Sequence, residues 1–375
     1  FNGDGIWSDS EKVVDAELIS VDPLAVPPVT VNTVTVPLSV PLDIDPTIDP
    51  LEYRFARFRV VSEADAATWV ASPEGAVFSG EVEDYEFKIQ PVDYGDADKP
   101  VTEYANDGAR HVINANGPYL GSVAPDWEQD GQRSTDALGD DNDSGGDDED
   151  GIKITDWWGN DVWEVIPGEK ASIEVTVNGS DGIVYGWADW NRDGDFTDAN
   201  ESFGSATVNA GTSYIFTPDV PLIDTSIVPG PVDLRFRVSS DGMGADGNPL
   251  QPSGLALDGE VEDYQVVLLD VDYGDLPNSV EYDGHSVTER SGNGARHVIG
   301  GPYLGLNAPD WDYDGQPNDT ATGDNENGTD DEDGVAIDYT TNTNVDGSLL
   351  AADQLVPGEW TTLDITVSGT VGETA

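Results

Sequence analysis

Apolar residues in this chain recur mainly at every second position. Ile173, Val175 and Val177 alternate with polar residues, and residues 362–367 repeat the pattern. Alternation with a period of two predicts strands that bury one face. The 42 Gly and 24 Pro residues interrupt short apolar runs, and no long segment keeps a helical period. The pattern predicts an all-β fold of tandem antiparallel β-sandwich repeats, of Ig-like or jelly-roll-like type.

Short motifs recur in the same order in two parts of the chain. GEVEDY occupies 80–85 and again 259–264, and GARHVI, GPYLG, APDW and DDEDG follow in the same order each time. A repeat of this kind predicts structural units in tandem. We expect the C-terminal part of a sandwich, an acidic calcium-binding segment, a complete sandwich, a second acidic segment and the N-terminal strands of a further sandwich, at residues 1–92, 93–151, 152–271, 272–334 and 335–375.

The repeat is out of phase with the ends of the sequence. Asn2 and Asp4 match Asn191 and Asp193, and residues 357–375 match the opening strands of the central sandwich. One interpretation is a window on a longer polypeptide of adjoining repeats. The other is head-to-tail assembly, in which the C-terminal strands of one copy complete the N-terminal half-domain of the next by strand addition. The sequence leaves both open.

The charge of the chain restricts its partners. Asp and Glu number 75 against 15 Lys and Arg, which gives a formal net charge of −60. Self-repulsion of this size opposes compaction unless bound divalent cations or high external salt offset it. Nucleic acid and anionic membranes are poor partners, and no apolar run approaches the ~20 residues that span a bilayer. With 0 Cys, disulfides and thiolate metal sites are excluded, which favours a metal such as calcium as the stabilising group.

One acidic loop has the spacing of a calcium site. Residues 189–201 read DWNRDGDFTDANE, with oxygen-bearing side chains at alternate positions and a glycine where the chain turns. Calcium binds about six to eight oxygens, and the loop nearly matches the EF-hand pattern, although its flanks predict strands and its closing Glu comes one position late. A solvated acidic turn is the alternative. The predicted ligands are Asp189, Asn191, Asp193, Asp195, Asp198 and Glu201, with Asn2, Asp4, Asp9 and Glu11 as the N-terminal counterpart.

Further acidic clusters recur at matching positions in both copies. Carboxylates packed this closely repel each other or stay partly protonated without a cation, so we expect several Ca²⁺ ions per repeat. A flexible acidic linker is the competing interpretation. The candidate ligands are Asp126, Glu128, Asp130, Asp310, Asp312 and Asp314 in two short loops; Asp140, Asp141, Asp143, Asp147, Asp148, Asp150, Asp324, Asp330, Asp331 and Asp333 in the dense clusters; and Asp93, Asp96, Asp272 and Asp275 in the DYGD motifs.

Strand alternation also places carboxylates on an apolar face. In the second GEVEDY motif, Glu260 and Glu262 share the face of Tyr264. A carboxylate that faces inward needs a partner. The predicted structural pairs join Glu262 to Arg235 or Arg237, and Glu83 to Arg57 or Arg59.

The sequence contains no recognisable catalytic motif, and we expect that the protein is not an enzyme. It has no nucleophile elbow and no phosphate-binding loop. His111 and His297 occupy the same repeat position, where a structural role is expected. Trp157 and Trp158 are candidates for stacking against a glycan, with a core or interface role as the alternative.

The motifs also carry a family resemblance. GEVEDYEF and GEVEDYQV, each with RFRV upstream, resemble the GEVED domain of large bacterial secreted and surface proteins. The series DYGD, GARHVI, GPYLG, APDW and DDEDG is similar to the acidic segment that precedes such domains in adhesin-like proteins. The resemblance implies a β-sandwich module, an extracellular location at the cell surface, and calcium binding. It implies little about a ligand.

These observations predict an extracellular structural protein of a bacterium. We expect calcium-stabilised sandwiches that form a surface fibre, filament or stalk, with copies of the chain or adjoining repeats as partners. The alternative is a calcium-dependent adhesin or glycan-binding module that contacts a sugar or another cell surface. Acidity that served only solvation at high salt would spread over all surfaces, whereas here the acids concentrate in loops.

Overall fold

The computed structural model describes the central part of the chain and shorter stretches on either side. The described residues are 7, 12, 35, 38, 40, 53–66, 72–99, 102–137, 139, 148–155, 160–222, 227–277, 288–318, 321, 323, 331–338, 357, 360 and 362–369. All structural statements below concern these residues.

Strands make up nearly all the regular structure of the described residues. Helix is limited there to one turn, α1 (Glu63–Ala66), and to two short 3-10 turns, Tyr104–Asn106 and Arg290–Gly292. The strands are β1 (Tyr53–Val60), β2 (Glu81–Lys88), β3 (Val92–Tyr94), β4 (Arg110–Val112), β5 (Tyr119–Leu120), β6 (Ile152–Thr155), β7 (Glu164–Val165), β8 (Ser172–Asn178), β9 (Gly182–Ala188), β10 (Ser202–Val208), β11 (Thr212–Phe216), β12 (Gly230–Ser239), β13 (Leu255–Ala256), β14 (Glu260–Leu268), β15 (Val271–Tyr273), β16 (Arg296–Val298), β17 (Tyr303–Leu304), β18 (Val335–Asp338), β19 (Thr362–Ile365) and β20 (Val367–Ser368). The predicted all-β class is confirmed.

Two sheets pack face to face in the middle of the chain. The first has the order β10-β9-β12-β14-β7, antiparallel except for β7, which runs parallel to β14. In the second, β8 pairs with β11 along one edge and with β6 and then β5 along the other, all antiparallel. Side chains from both sheets form one apolar cluster, so the arrangement is that of a β-sandwich.

The alternation in the sequence accounts for this core. Ile173, Val175 and Val177 of β8 are buried, as are Leu234 and Phe236 of β12 on the facing sheet. Burial of a side chain of this size stabilises a fold by roughly 1.5–3 kcal/mol, so the periodic residues account for much of the stability of the sandwich. The intervening residues of β8 lie partly exposed on the other face.

Strand pairing joins the acidic segment 93–151 to the sandwich that follows it. β5 of the segment extends the sheet of β8, and β13 of the sandwich pairs in parallel with β4 of the segment. The backbone N–H of Arg110 also donates to the carbonyl of Gly254 at 3.2 Å. The pairings therefore cross residue 151, where the sequence predicts a domain boundary.

The two ends of the described chain repeat parts of this arrangement. β1 and β2 pair with the same register as β12 and β14, so that Arg57 lies opposite Asp84 as Arg235 lies opposite Asp263. β18 pairs with β19, and β17 pairs with β20, as β6 and β5 pair with β8. The apolar residues of these pairs are about half exposed or more, in contrast to their buried central counterparts: Phe58, Leu363, Ile365 and Val367 against Phe236, Ile173, Val175 and Val177.

None of the helices in the described residues has the length and apolar character that a bilayer span requires.

Candidate functional site

The predicted calcium loop connects β9 to β10 and is anchored in the core. Trp190 is buried, and its Nε1 donates to the carbonyl of Asn200 at 3.2 Å. Phe196 is buried as well, with its ring centroid 5.6 Å from the guanidinium carbon of Arg235. Gly194 has a φ of +94°, a conformation that other residues adopt only with strain. The two aromatic anchors and the glycine fix the loop that carries the acidic side chains.

Five of the six predicted ligands turn toward one another. The two carboxylate oxygens of Asp189 accept the backbone N–H groups of Asp193 and Gly194 at 3.2 and 3.0 Å. The Asn191 amide donates to Asp193 Oδ2 at 3.2 Å and to Asp198 Oδ2 at 2.6 Å. Glu201 Oε2 accepts the N–H of Asp198 at 2.9 Å. These contacts bring together Asp189, Asn191, Asp193, Asp198 and Glu201.

Asp195, the sixth predicted ligand, is directed elsewhere. Its Oδ1 accepts the backbone N–H and the hydroxyl of Thr197 at 2.8 and 2.7 Å. These hydrogen bonds lower the pKa of Asp195 and stabilise the turn after Gly194. In this structure Asp195 is therefore a turn-stabilising residue.

The electrostatics of the loop fit a cation. Burial, together with the charges of Asp189, Asp198 and Asp193, raises the pKa of Glu201 to about 7, and burial raises the pKa of Asp189 to about 6. Glu201 Oε1 is buried without a hydrogen-bond partner. Within the described part of the chain no group of three or more acidic or histidine side chains is already arranged as a metal site. A hard cation that accepts oxygen ligands would compensate both the charge and the unpartnered oxygen.

A second group of buried charges lies where the acidic segment meets β14. Arg235 Nε and Nη2 donate to Asp263 Oδ1 and Oδ2, both at 2.7 Å, and both side chains are fully buried. Asp263 Oδ2 also accepts the backbone N–H groups of Asp96 and Ala97, each at 2.9 Å. This carboxylate therefore connects the sandwich to the first residues of the acidic segment.

The predicted pairing of Glu262 with an arginine is wrong, and the register explains why. Residues that lie opposite each other on neighbouring strands share a face of the sheet. Glu262 lies opposite Phe236 and faces the core, whereas Arg235 lies opposite Asp263 on the outer face. The predicted pairing of Glu83 fails for the same reason, since Arg57 pairs with Asp84 at 2.7 Å.

Arg237 and Arg59 hold loops instead of carboxylates. Arg237 donates to the carbonyls of Gln251, Ser253 and Gly254 at 2.6–2.8 Å, and Arg59 donates to those of Ser72, Glu74 and Gly75 at 2.8 Å. Arg237 Nε also donates to Nε2 of His111 at 2.9 Å. His111 Nδ1 lies 2.8 Å from the carbonyl of Asp258, so the neutral ring donates there and accepts from Arg237. Burial, followed by the charge of Arg237, lowers the pKa of His111 well below its usual value.

The inward glutamates of β14 bind backbone groups of the acidic segment. Glu260 Oε2 accepts the N–H of Leu120. Glu262 Oε1 accepts the N–H groups of Asp150 and Gly151 at 3.2 and 3.0 Å, and its Oε2 accepts the hydroxyl of Tyr264 at 3.0 Å. A Cβ atom at Gly151 would lie 2.5 Å from Leu120 Cβ and 2.6 Å from Glu262 Oε2, which explains the glycine at the end of the DDEDG motif. Sequence reasoning placed the two glutamates on the correct face but missed these partners.

Glu260, Glu262 and Asp263 thus form the junction with the acidic segment. Residues 183–267 match the family model of the GEVED domain. This part of the chain is similar to a GEVED domain, and we call the central sandwich that contains it the GEVED domain. The match covers the strands from β9 to β14, which include both the acidic loop and the junction. Searches of curated proteins and of solved structures found no match to the chain.

Several predicted ligands outside the GEVED domain accept backbone N–H groups, with the same bonds in both copies except that of Asp93. The backbone N–H of Tyr94 donates to Glu128 as that of Tyr273 donates to Asp312, at 2.8 and 2.9 Å. Further carboxylate oxygens accept backbone N–H groups: Asp130 from Tyr104, Asp314 from Arg290, Asp150 from Ser122, Asp333 from Leu306, Asp96 from Gly139, Asp275 from Gly323 and Asp93 from Val261. These acids order the segments.

The remaining predicted ligands divide into two groups. Asp126 donates its backbone N–H to Asp148 Oδ2 at 3.0 Å, whereas Asp310 and Asp331 lie partly exposed and Asp272 pairs in β15 with His297. The others lie outside the described residues: Asn2, Asp4, Asp9, Glu11, Asp140, Asp141, Asp143, Asp147, Asp324, Asp330, and the stacking candidates Trp157 and Trp158. For these the predictions stand on sequence alone.

Proposed function

We propose that this protein is an extracellular structural repeat protein whose GEVED domains and acidic segments form a calcium-stabilised surface fibre or stalk. The observation that carries the proposal is the attachment of one sandwich to an acidic segment on each side. The preceding segment pairs with it through β5 and β4 and through Asp263. The following segment adds an ion pair between Arg296 and Glu169, and its Trp311 and Tyr313 pack against the core of the sandwich. Contacts of this kind on both sides of the sandwich would let it transmit tension along a fibre.

Calcium is the proposed stabilising ion in these modules. The chain carries a formal charge of −60, and repulsion within it opposes the compact state. The convergent loop 189–201 offers carboxylate and amide oxygens, the ligands that calcium prefers. Binding to the folded state alone would add about 2.7 kcal/mol of stability per site at a hundredfold excess over Kd. A bacterial surface exposed to millimolar calcium would keep such sites filled.

The half-exposed sheets at both ends of the described chain are the proposed contact surfaces of the fibre. β19 and β20 present Leu363, Ile365 and Val367, the counterparts of three core residues of β8. β1 presents Phe58, the counterpart of the core residue Phe236. The central sandwich has the same two surfaces packed together. The complementary surface comes from an adjoining repeat of the same polypeptide or, in head-to-tail assembly, from another copy.

The first test of the proposal is thermal unfolding of the chain in millimolar calcium and after calcium removal, at matched ionic strength. We expect calcium to raise the melting temperature far more than sodium or magnesium at the same ionic strength. Identical melting curves would refute calcium stabilisation. An adhesin or glycan-binding module is the alternative function, and it rests on Trp157 and Trp158 in the sequence. We propose no catalytic role.

A further inference from the structure

The junction between the acidic segment and the GEVED domain buries carboxylates at high density. Three carboxylates of the segment and two glutamates of β14 are each less than a tenth exposed: Asp93, Glu128, Asp148, Glu260 and Glu262. Arg235 forms its ion pair with Asp263. Arg237 interacts electrostatically with Asp93, but its N–H groups bind His111 and backbone carbonyls. Buried charges in this number need compensation from a further positive group or from protons.

The buried carboxylates are linked by backbone hydrogen bonds and by electrostatic interactions. Glu128 interacts with Asp93 and Asp126, and Asp126 donates its backbone N–H to Asp148 Oδ2 at 3.0 Å. Glu260 in turn interacts electrostatically with Glu262, Asp148 and Asp150. Asp150 approaches β14 through its backbone N–H, which donates to Glu262. The DDEDG motif of the segment and the two glutamates of β14 therefore form one acidic cluster.

On β14, one oxygen of Glu260 has no hydrogen-bond partner. Glu260 is 1% exposed, its Oε2 accepts the N–H of Leu120, and its Oε1 has no hydrogen-bond partner. Glu262, in contrast, uses both oxygens. A proton on Glu260 Oε1 would create a buried hydroxyl without an acceptor, which costs roughly 1–3 kcal/mol. A bound cation would satisfy this oxygen and offset the neighbouring charges together.

We propose that a hard divalent cation of the Ca²⁺ type binds at Glu260 Oε1 and Asp148, in the field of Glu262 and Asp150. Carboxylate oxygens are the preferred ligands of such ions, and water and backbone carbonyls commonly complete the coordination. This inference rests on the proposed calcium stabilisation and adds a site that links the acidic segment to the signature strand of the GEVED domain. The glutamates of the signature are then metal ligands or their neighbours, in addition to acceptors for backbone N–H groups.

The chain contains a matched control for this site. Glu81 and Glu83 occupy the same repeat positions in β2 as Glu260 and Glu262 in β14, and both are exposed. The Tyr85 hydroxyl donates to Glu83 as that of Tyr264 donates to Glu262. Glu81→Gln therefore removes the same charge from the same strand position, without the buried cluster.

The test counts bound ions on the full chain by equilibrium dialysis with calcium and follows sensitised terbium emission. Tyr264 bonds to Glu262, and its ring stacks on Trp163 with centroids 5.4 Å apart, so this pair should transfer excitation to terbium at the site. We expect Glu260→Gln to lower the calcium count by one and to reduce terbium emission. At chain concentrations that keep the protein monomeric, Glu81→Gln should leave both unchanged, and Glu201→Gln should remove an ion from the loop while keeping the emission excited through Tyr264.

Thermal unfolding separates this proposal from a simple buried acid. Glu260→Gln should raise the melting temperature of the calcium-free chain by removing repulsion and lower it in calcium by removing a ligand. A full ion count with equal shifts in both conditions would overturn the site while leaving the proposed function intact. If calcium does not raise the melting temperature of the unaltered chain, the proposed function is overturned instead. If Glu260→Gln fails to fold, Asp148→Asn tests the site from the segment side, and it should also lower the calcium count by one.

Discussion

The guanidinium of Arg235 and the carboxylate of Asp263 form a two-point ion pair, with both N–O distances at 2.7 Å. The same pair recurs between Arg57 and Asp84, again with two contacts at 2.7 Å. The central pair is fully buried, whereas the side chains of the other are 31% and 51% exposed. One chain thus contains the same interaction in two environments, which allows a direct comparison of its contribution to stability.

Asp263→Asn should destabilise the GEVED domain strongly. The substitution leaves the Arg235 charge buried without its counterion and weakens the contacts to the N–H groups of Asp96 and Ala97. Breaking a buried pair typically costs about 3–5 kcal/mol, whereas solvent screens an exposed pair and leaves it little net contribution. Denaturant unfolding should therefore show a large loss for Asp263→Asn and a small one for Asp84→Asn. Equal effects of the two substitutions would contradict the assigned role of burial.

The sequence determined the faces of the strands but not their partners. Alternation places Leu234 and Phe236 on one face of β12 and Arg235 on the other, as the structure has them. The choice of Asp263 over Glu262 as the partner of Arg235 depends on the register between β12 and β14, which a single strand pattern does not contain. The RFRV and GEVED motifs already exclude the pairing of Glu262, because a glutamate on the core face cannot meet an arginine on the outer face.

For the acidic loops, residue spacing likewise does not specify the role of each acid. Spacing identified the loop 189–201, and five of its six candidates converge there. Asp195 does not, because its carboxylate accepts the backbone N–H and the hydroxyl of Thr197. In the acidic segments, many alternate acids accept backbone N–H groups across the turn. Whether an alternate acid orders a turn or faces a cation depends on backbone dihedral angles, which spacing alone does not specify.

Glu201→Gln should remove much of the calcium stabilisation of the GEVED domain. Glu201 is 1% exposed, and its Oε1 is the unpartnered oxygen of the loop. A glutamine keeps the acceptor for the N–H of Asp198 but cannot supply the charge that calcium prefers. Calorimetric titration should show the loss of one binding event. Asp219→Asn removes an acid that is 81% exposed and paired with Lys170, so it should leave calcium binding unchanged. A retained binding event in Glu201→Gln would exclude this loop as a site.

The effect of calcium should diminish as the pH falls from 8 to 5. The folded-state pKa of Glu201 is raised to about 7 and that of Asp189 to about 6, both above their unfolded values. The calcium-free folded state therefore holds more protons than the unfolded state, and its stability from these groups is lost as pH rises through 6 and 7. Calcium requires the ionised carboxylates, so its contribution grows over the same range.

Melting temperatures of calcium-free and calcium-saturated chain should accordingly converge toward pH 5. Calcium should be removed beforehand by resin treatment, because chelators themselves lose affinity in acid. The lowered pKa of His111 acts in the opposite sense, since stability is lost as pH falls below the unfolded value of about 6.5. That loss affects both samples and cancels in their difference. A difference that stays constant from pH 8 to 5 would contradict the involvement of Asp189 and Glu201.

Leu363→Asp should abolish calcium-dependent self-association if the half-exposed sheets are contact surfaces. Leu363 is 54% exposed on β19, whereas its counterpart Ile173 in the central sandwich is 1% exposed. Burying such a side chain contributes roughly 1.5–3 kcal/mol, and a carboxylate in its place would meet an apolar surface at a larger cost. Sedimentation velocity in calcium should show association of the unaltered chain and a monomer for the variant.

Asp364→Asn changes the neighbouring residue of β19, whose side chain points to the opposite face, and should associate normally. If Leu363→Asp associates as well as the unaltered chain, copies do not join through this face, and the complementary surface belongs to an adjoining repeat of the same polypeptide.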